Sequence, residues 1–180
     1  TDRLEKGDIV GALNAGYMIV DELRTPTLSP KLYYSIFLRV QTIFTSLISA
    51  LESSTVHSTL KLYEYVQYYP HAVPRLYLMC AVGSACITRK EASITDMLKD
   101  LVEMTKCIQH PTKGLFLRSY LLDCVKSHLP DVNTENPGRE GTLADSVDFL
   151  IVNFTEMNKL NMRLTQKQKD CQLQLCQLVA

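Results

Sequence analysis

Apolar positions recur at steps of three and four along almost the whole chain, a spacing that predicts one amphipathic helix after another. The first segment, Asp2 to Arg24, sets Val10, Leu13, Tyr17 and Val20 on one face. It ends before Thr25-Pro26, because a proline disfavours helix at the residue before it. The second opens on Ser29 as N-cap with Pro30 at the first helical position. Its stripe is Leu32, Ile36, Val40, Ile43, Leu47 and Leu51, running to the Ser53-Ser54-Thr55 break. A third, Val56 to Tyr69, places Leu60, Tyr63 and Val66 together and is closed by Pro70. A fourth begins at Ala72 or Pro74 and runs to about Arg89.

The fifth segment starts after Ser93, carries Ile94, Met97, Leu98, Leu101 and Ile108, and stops at His110-Pro111. The sixth, Lys113 to Leu129, has two stripes: Leu117, Leu121 and Cys124, and Leu115, Leu122, Val125 and Leu129. A helix apolar on two sides is sandwiched between neighbours. Pro130 ends it, and the stretch 131–141, with its Asn-Pro-Gly, reads as the one long loop. A seventh segment opens on Thr142, with Asp145 three residues later as a variant capping box. Val147, Leu150, Phe154, Met157 and Leu164 follow, and the Gln-rich tail from Thr165 continues a stripe through Cys171, Leu175 and Leu178.

No sustained period-two alternation and no Asn-Gly turn argues for strands. The pattern therefore predicts an all-α chain of about seven helices, with helix content above about half against a globular average nearer a third. Two-sided apolar helices favour an α-solenoid of antiparallel helix pairs over a closed bundle. No strict 34-residue repeat is visible, so the looser HEAT-like repeat fits better. The chain starts on Thr and reaches Ala180 without a stop signal. The expectation is a single segment, residues 1–180, of a longer protein.

Composition narrows the function classes. Nineteen basic and nineteen acidic residues leave a formal net charge of zero, whereas nucleic-acid binding asks for a basic face. Arg163, Lys167 and Lys169 form the one local excess of base, and such a run serves as a solvated helix face. The six cysteines, at 80, 86, 107, 124, 171 and 176, show no two-residue spacing and no histidine companions. That points to reduced thiols in an intracellular protein. The longest nearly apolar run, Leu76 to Ile87, is short of the roughly 20 residues that span a bilayer.

Catalytic signatures do not emerge. There is no glycine-rich phosphate loop, no Gly-x-Ser-x-Gly and no His-Glu-x-x-His. His57, His71, His110 and His128 are scattered at segment ends. Cys107 and His110 could share a helix face, but no third group orients them. The sequon Asn153-Phe154-Thr155 falls inside a helix. These residues predict no enzyme, no metal and no cofactor.

One segment breaks the local rules: Pro74, Arg75, Leu76, Tyr77, Leu78 and Met79. Pro74 suits a first helical turn, but Arg75 sets a cation at the positive end of the helix macrodipole, on a face with Leu78, Met79 and Val82. Such an arginine asks for an acidic or carbonyl partner. Two readings stand open: an internal strut held by a carboxylate on a neighbouring helix, or a direct contact to another protein. A rim of Leu, Tyr and Met around an Arg has the composition of an interface hot spot.

These same residues resemble the signature of the large α-solenoid subunit of retromer, the vacuolar protein sorting scaffold of endosomes. Leu23-Arg24-Thr25 followed by Leu28-Ser29-Pro30-Lys31 and Tyr33-Tyr34 is similar to that family's first helix junction. The run Asp96 to Met104, then His110-Pro111, Gly114 to Arg118 and Tyr120-Leu121-Leu122, resembles it closely. Leu129-Pro130-Asp131 and Asn153 to Leu160 extend the likeness over nearly the whole chain. Asn161 stands where the family often has Trp, and residues 46–59 and the tail after Thr165 match nothing in it.

The resemblance implies the N-terminal part of a non-catalytic coat scaffold. It implies that the segment binds the arrestin-like retromer subunit through Pro74, Arg75, Leu76, Tyr77, Leu78 and Met79. Sorting nexins and a late-endosomal Rab GTPase are the further partners it implies. They would hold a cytoplasmic protein peripherally on endosomal membranes, for retrograde cargo transport to the Golgi or plasma membrane. A reading of a different class is a generic helical-repeat adaptor that takes peptide motifs in a concave groove.

Overall fold

Seven α-helices form among the described residues of the computed structural model, which are 7–54, 56–131 and 141–179, with side chains to residue 167. They are α1 (Ile9–Asp21), α2 (Pro30–Ser53), α3 (Thr59–Gln67), α4 (Ala72–Thr88), α5 (Ile94–Thr105), α6 (Pro111–Val125) and α7 (Leu143–Val179). A 3-10 turn, Glu22–Arg24, follows α1. Of the described residues 78% are helical and none forms a strand, the architecture of an all-α helical solenoid, well past the half that the periodicity predicts. The expected loop lies outside the described residues from 132 to 140, as do residues 1–6 and the side chains of Cys171, Leu175 and Leu178.

Caps set the helix starts where the sequence signals them. The Ser29 hydroxyl accepts from the Leu32 amide at 3.3 Å with Pro30 in the first turn. The Thr142 hydroxyl accepts from the Asp145 amide at 3.2 Å, and Asp145 accepts from the Thr142 amide at 2.9 Å, a reciprocal capping box. The end of α4 carries no glycine signal. There Lys90 takes a left-handed φ of 54°, its amide bonds the Ile87 carbonyl and the Glu91 amide bonds that of Cys86. This is a Schellman closure with lysine where glycine is usual. Arg89 and Glu91 then latch the neighbouring turn: Arg89 donates to the His57 carbonyl at 2.9 Å, and Glu91 accepts from the Ser58 hydroxyl at 2.7 Å.

Consecutive helices pair, α1 with α2, α3 with α4 and α6 with α7, and the pairs lean on one another through α4. α4 touches α1, α2, α3, α5 and α6. Glycines allow the closest crossings. A methyl on Gly83 would stand 3.1 Å from Leu101 of α5, and one on Gly114 would stand 2.8 Å from the Ile108 carbonyl.

The predicted stripes hold in kind and slip in phase. In α2 the buried set is Tyr33, Phe37, Val40, Phe44, Leu47 and Leu51, so aromatics displace Leu32, Ile36 and Ile43. The reason is across the interface, where Phe37 meets Phe116 at 4.8 Å and Tyr77 at 6.4 Å, and Phe44 meets Tyr120 at 6.1 Å. In α3, Leu62 is buried and Leu60 is exposed. In α7 the inner face is Ser146, Phe149, Asn153 and Leu160, while Val147, Leu150 and Phe154 face outward, the last 64% exposed. Polar residues win that inner face because each has a partner there: Ser146 donates to the Pro130 carbonyl at 2.7 Å, and Asn153 meets Arg118.

α2 is the one described helix long and apolar enough to cross a bilayer by length and composition, which the sequence reading, fixed on Leu76 to Ile87, passes over. Its buried stripe is occupied by α1, α4 and α6. The two-sided α6 is sandwiched as predicted, with Leu117 and Leu121 fully buried. Leu121→Ala is expected to cost about 2–5 kcal/mol in chemical denaturation, as large-to-small core changes do. A loss well under about 1 kcal/mol would place α6 at the periphery.

Candidate partner-binding site

The six signature residues occupy the start of α4, after a turn made by Tyr68, Tyr69, Pro70 and His71. Pro74 sits in the first helical turn, where its missing amide costs nothing. Pro74, Leu76, Tyr77, Leu78 and Met79 are all buried. Tyr77 lies 5.0 Å from the Tyr120 ring, and Leu78 packs near Gly16 of α1 and Phe44 of α2. The apolar rim expected around Arg75 is therefore inside the chain, because α4 is enclosed by five helices and no apolar side chain of its first turns is left outward.

Arg75 alone among the six is only partly buried. Its Nη1 donates to the Tyr69 carbonyl at 3.0 Å. Of the two partners the sequence allows, carbonyl or acid, the structure supplies the carbonyl, and it comes from the turn just before α4. Among the described residues no carboxylate forms an ion pair with Arg75, so the strut held by an acid on a neighbouring helix is corrected to a tie between α4 and its own entry turn. The tie satisfies a carbonyl just past the end of α3 and leaves Arg75 partly buried.

That turn is fixed from the side of α1. Tyr69 stacks on Tyr17 with ring centroids 4.6 Å apart, and its hydroxyl donates to Asn14 Oδ1 at 2.5 Å. Tyr17 also stacks on His71 at 6.3 Å, and Tyr65 meets Tyr69 edge-on at 5.7 Å. Partial burial, with Tyr65 and Tyr17 beside it, pushes the Tyr69 phenol above its ordinary range, so it stays a neutral donor.

Sequence reasoning misses a second polar feature, a buried arginine on α6. Arg118 is 1% exposed; its Nη1 donates to Asn153 Oδ1 at 3.3 Å, and Asn153 Nδ2 donates back to the Arg118 carbonyl at 3.4 Å. Burial works against its charge, and Glu156 offsets part of that cost. The available signal was the position of Arg118 one residue after Leu117, within a helix apolar on two sides. The pairing also disposes of the sequon, since the Asn153 amide is buried and committed to Arg118.

The candidate chemical groups stay apart. His110 caps α6, accepting from the Lys113 amide at 3.4 Å, and His128 lies 3.3 Å from the Ser84 hydroxyl at the far end of α4. Burial pushes the Cys86 thiol up to about 11 and that of Cys124 up to about 12, so neither is a ready nucleophile. No group of three or more potential metal ligands gathers among the described residues. A cleft of about 380 Å³ runs between α5 and α7, floored by Leu98, Val102 and Phe149 and edged by Lys99, Glu103 and Asp148.

Comparison with known proteins gives a consistent picture. The family model described as Vps35, vacuolar protein sorting-associated protein 35, matches residues 1–175. It thus spans residues 46–59 and much of the tail, where no motif of the family is recognisable by eye. Vacuolar protein sorting-associated protein 35A of Arabidopsis thaliana is 42% identical over 163 residues, covering 89% of this chain and 21% of the relative. The protein 35 of Dictyostelium discoideum is 44% identical over 162 residues, covering 89% and 20%. That of Schizosaccharomyces pombe is 39% identical over 167 residues, again 89% and 20%. The chain spans about a fifth of the length of the curated relatives it matches, in their N-terminal part.

Since Arg75 bonds a carbonyl at a partly buried site, Arg75→Ala should leave helicity intact and cost at most about 1–2 kcal/mol in denaturation. A loss of about 3–5 kcal/mol would mean that it holds a buried charge.

Proposed function

The chain belongs to the Vps35 family of vacuolar protein sorting-associated proteins, and on that premise we propose that it is an N-terminal segment of the retromer scaffold. In this reading it is a non-catalytic part of a longer α-solenoid. It binds the arrestin-like retromer subunit at the start of α4, and it helps recruit the coat through sorting nexins and a late-endosomal Rab GTPase. The protein acts in the cytoplasm, peripherally on endosomal membranes, in retrograde transport of cargo to the Golgi or plasma membrane.

The family match over residues 1–175 carries the reading. The geometry supports a division of labour within the signature. Pro74, Leu76, Tyr77, Leu78 and Met79 are buried and shape the surface, and Arg75 reaches it. A cation fixed on a rigid helix end meets a partner with little loss of side-chain freedom, which favours affinity.

A second reading, a helical-repeat adaptor for peptide motifs, draws on the cleft between α5 and α7, whose apolar floor and charged edges suit an amphipathic segment. Calorimetry with the purified arrestin-like subunit separates the two. The scaffold reading expects binding that Arg75→Ala weakens by about 2 kcal/mol or more, the scale of a truncated hot spot. Absence of binding by the parent chain favours the adaptor.

A further inference from the structure

We propose that the polar pocket where α2, α4 and α6 end is a binding site for a guanidinium, carried by an arginine of a partner protein or by a free small molecule. The pocket lies at the opposite end of α4 from the signature and takes no part in the contact proposed there.

The pocket has a volume of about 600 Å³ and is lined by Gln41 and Glu52 of α2, Ser84 and Thr88 of α4 and Asp123 of α6, with His128 just beyond. Glu52, Thr88 and Asp123 stand in the last turns of their helices, which end at Ser53, Thr88 and Val125. Three negative helix ends therefore converge on one space, each equivalent to about half an elementary charge. Two carboxylates add to them. A cation is the ligand that this potential favours.

The hydrogen bonds in the wall point the same way, because its donors are spent. The Thr45 hydroxyl gives its one hydrogen to the Gln41 carbonyl at 3.0 Å, Ser84 to the Cys124 carbonyl at 2.8 Å and Thr88 to Glu52 Oε1 at 2.8 Å. His128 Nε2 lies 3.3 Å from the Ser84 hydroxyl and 3.4 Å from that of Thr88, so it is the donor to both. The free acceptor of the neutral ring is then Nδ1. Gln41 donates to Asp123 at 2.8 Å. Glu52 has no cationic partner among the described residues. Asp123 has Lys126 at 2.9 Å, an exposed pair of the kind worth little in water. In the inner wall the buried Tyr120 hydroxyl has no hydrogen-bond partner among the described residues.

What the pocket offers is acceptors on separate helices. No three of its potential metal ligands come together, so the fitting cation is one whose donors are spread out. A guanidinium has five in a planar fork and accepts none, whereas an ammonium concentrates three on one atom.

The test is a titration of the isotope-labelled chain followed by NMR, with melting temperature measured for every variant. N-acetyl-arginine amide should shift the amides of Thr88, Ser127 and His128 saturably, and the lysine analogue should bind about fivefold weaker. The citrulline analogue, of the same shape without the charge, should not bind. Glu52→Gln and Asp123→Asn should each weaken the arginine probe about tenfold. Glu22→Gln, which removes an exposed acid outside the pocket, should change nothing. Lys126→Ala frees Asp123 of its resident cation and should tighten binding about threefold, a gain that no loss of folding produces. Free arginine separates the two sources: tighter binding than the capped form assigns the site to a small molecule, and equal or weaker binding assigns it to a side chain of a partner. The proposal is overturned by the absence of a saturable shift at these amides, or by equal binding of the citrulline or lysine analogue. It is equally overturned if Glu22→Gln weakens binding as much as Glu52→Gln, or if both pocket variants keep the parental affinity.

Discussion

From Val73 to Ile87 every residue of α4 except Arg75 is withdrawn from water, and the other helices are arranged by the need to cover it. A helix apolar all round cannot lie on a core; it must be the core. Each large side chain along it contributes about 1.5–3 kcal/mol by leaving water, and that requires neighbours on every side. α1, α2, α3, α5 and α6 supply them. Small residues set how near they come. At Gly83 the absence of a side chain brings Leu101 and Met97 of α5 and Tyr63 of α3 against the α4 backbone. The Ser84 hydroxyl, caught inside, is answered locally: it donates to the Cys124 carbonyl at 2.8 Å.

Enclosure of α4 leaves a charged side chain room at one end only, in its first turns. The buried signature residues fix where α4 begins and how it sits, and the one cation of the segment is carried to the rim with them. Arg118 shows the opposite solution on α6. It is a cation taken fully inside and tied to Asn153, where it joins α6 to α7 at the expense of desolvation. One arginine thereby ties a helix to its entry turn and the other joins two helices from inside, although the sequence presents both within apolar helices.

Much of this was legible in the residues. Seven helices, their caps at Ser29 and Thr142, the two-sided α6 and the signature at the start of α4 follow from spacing and capping chemistry. Spacing could not settle which of two adjacent apolar rows turns inward. In α2, Leu32 and Tyr33 are equally apolar to a pattern, and the choice is made by Phe116, Tyr77 and Tyr120 across the interface. In α7 the inner row contains Ser146 and Asn153, which look like surface residues until Pro130 and Arg118 are brought beside them. The brace on Arg75 was hidden for the same reason. Asn14 and Tyr69 are 55 positions apart, and nothing local in the sequence joins them.

Hydrogen exchange of the backbone amides, with and without the arrestin-like subunit, tests the central claim most directly: α4 is the core, and under the proposed function its entry turn is the part that meets the partner. In the free chain, the interior amides of α4 should be the slowest to exchange, opening only with global unfolding. Adding the subunit should then slow exchange at residues 68–75 and leave the interior of α4 unchanged. Fast exchange along α4 in the free chain, or new protection confined to the outer face of α7 with none at the turn, would contradict the account.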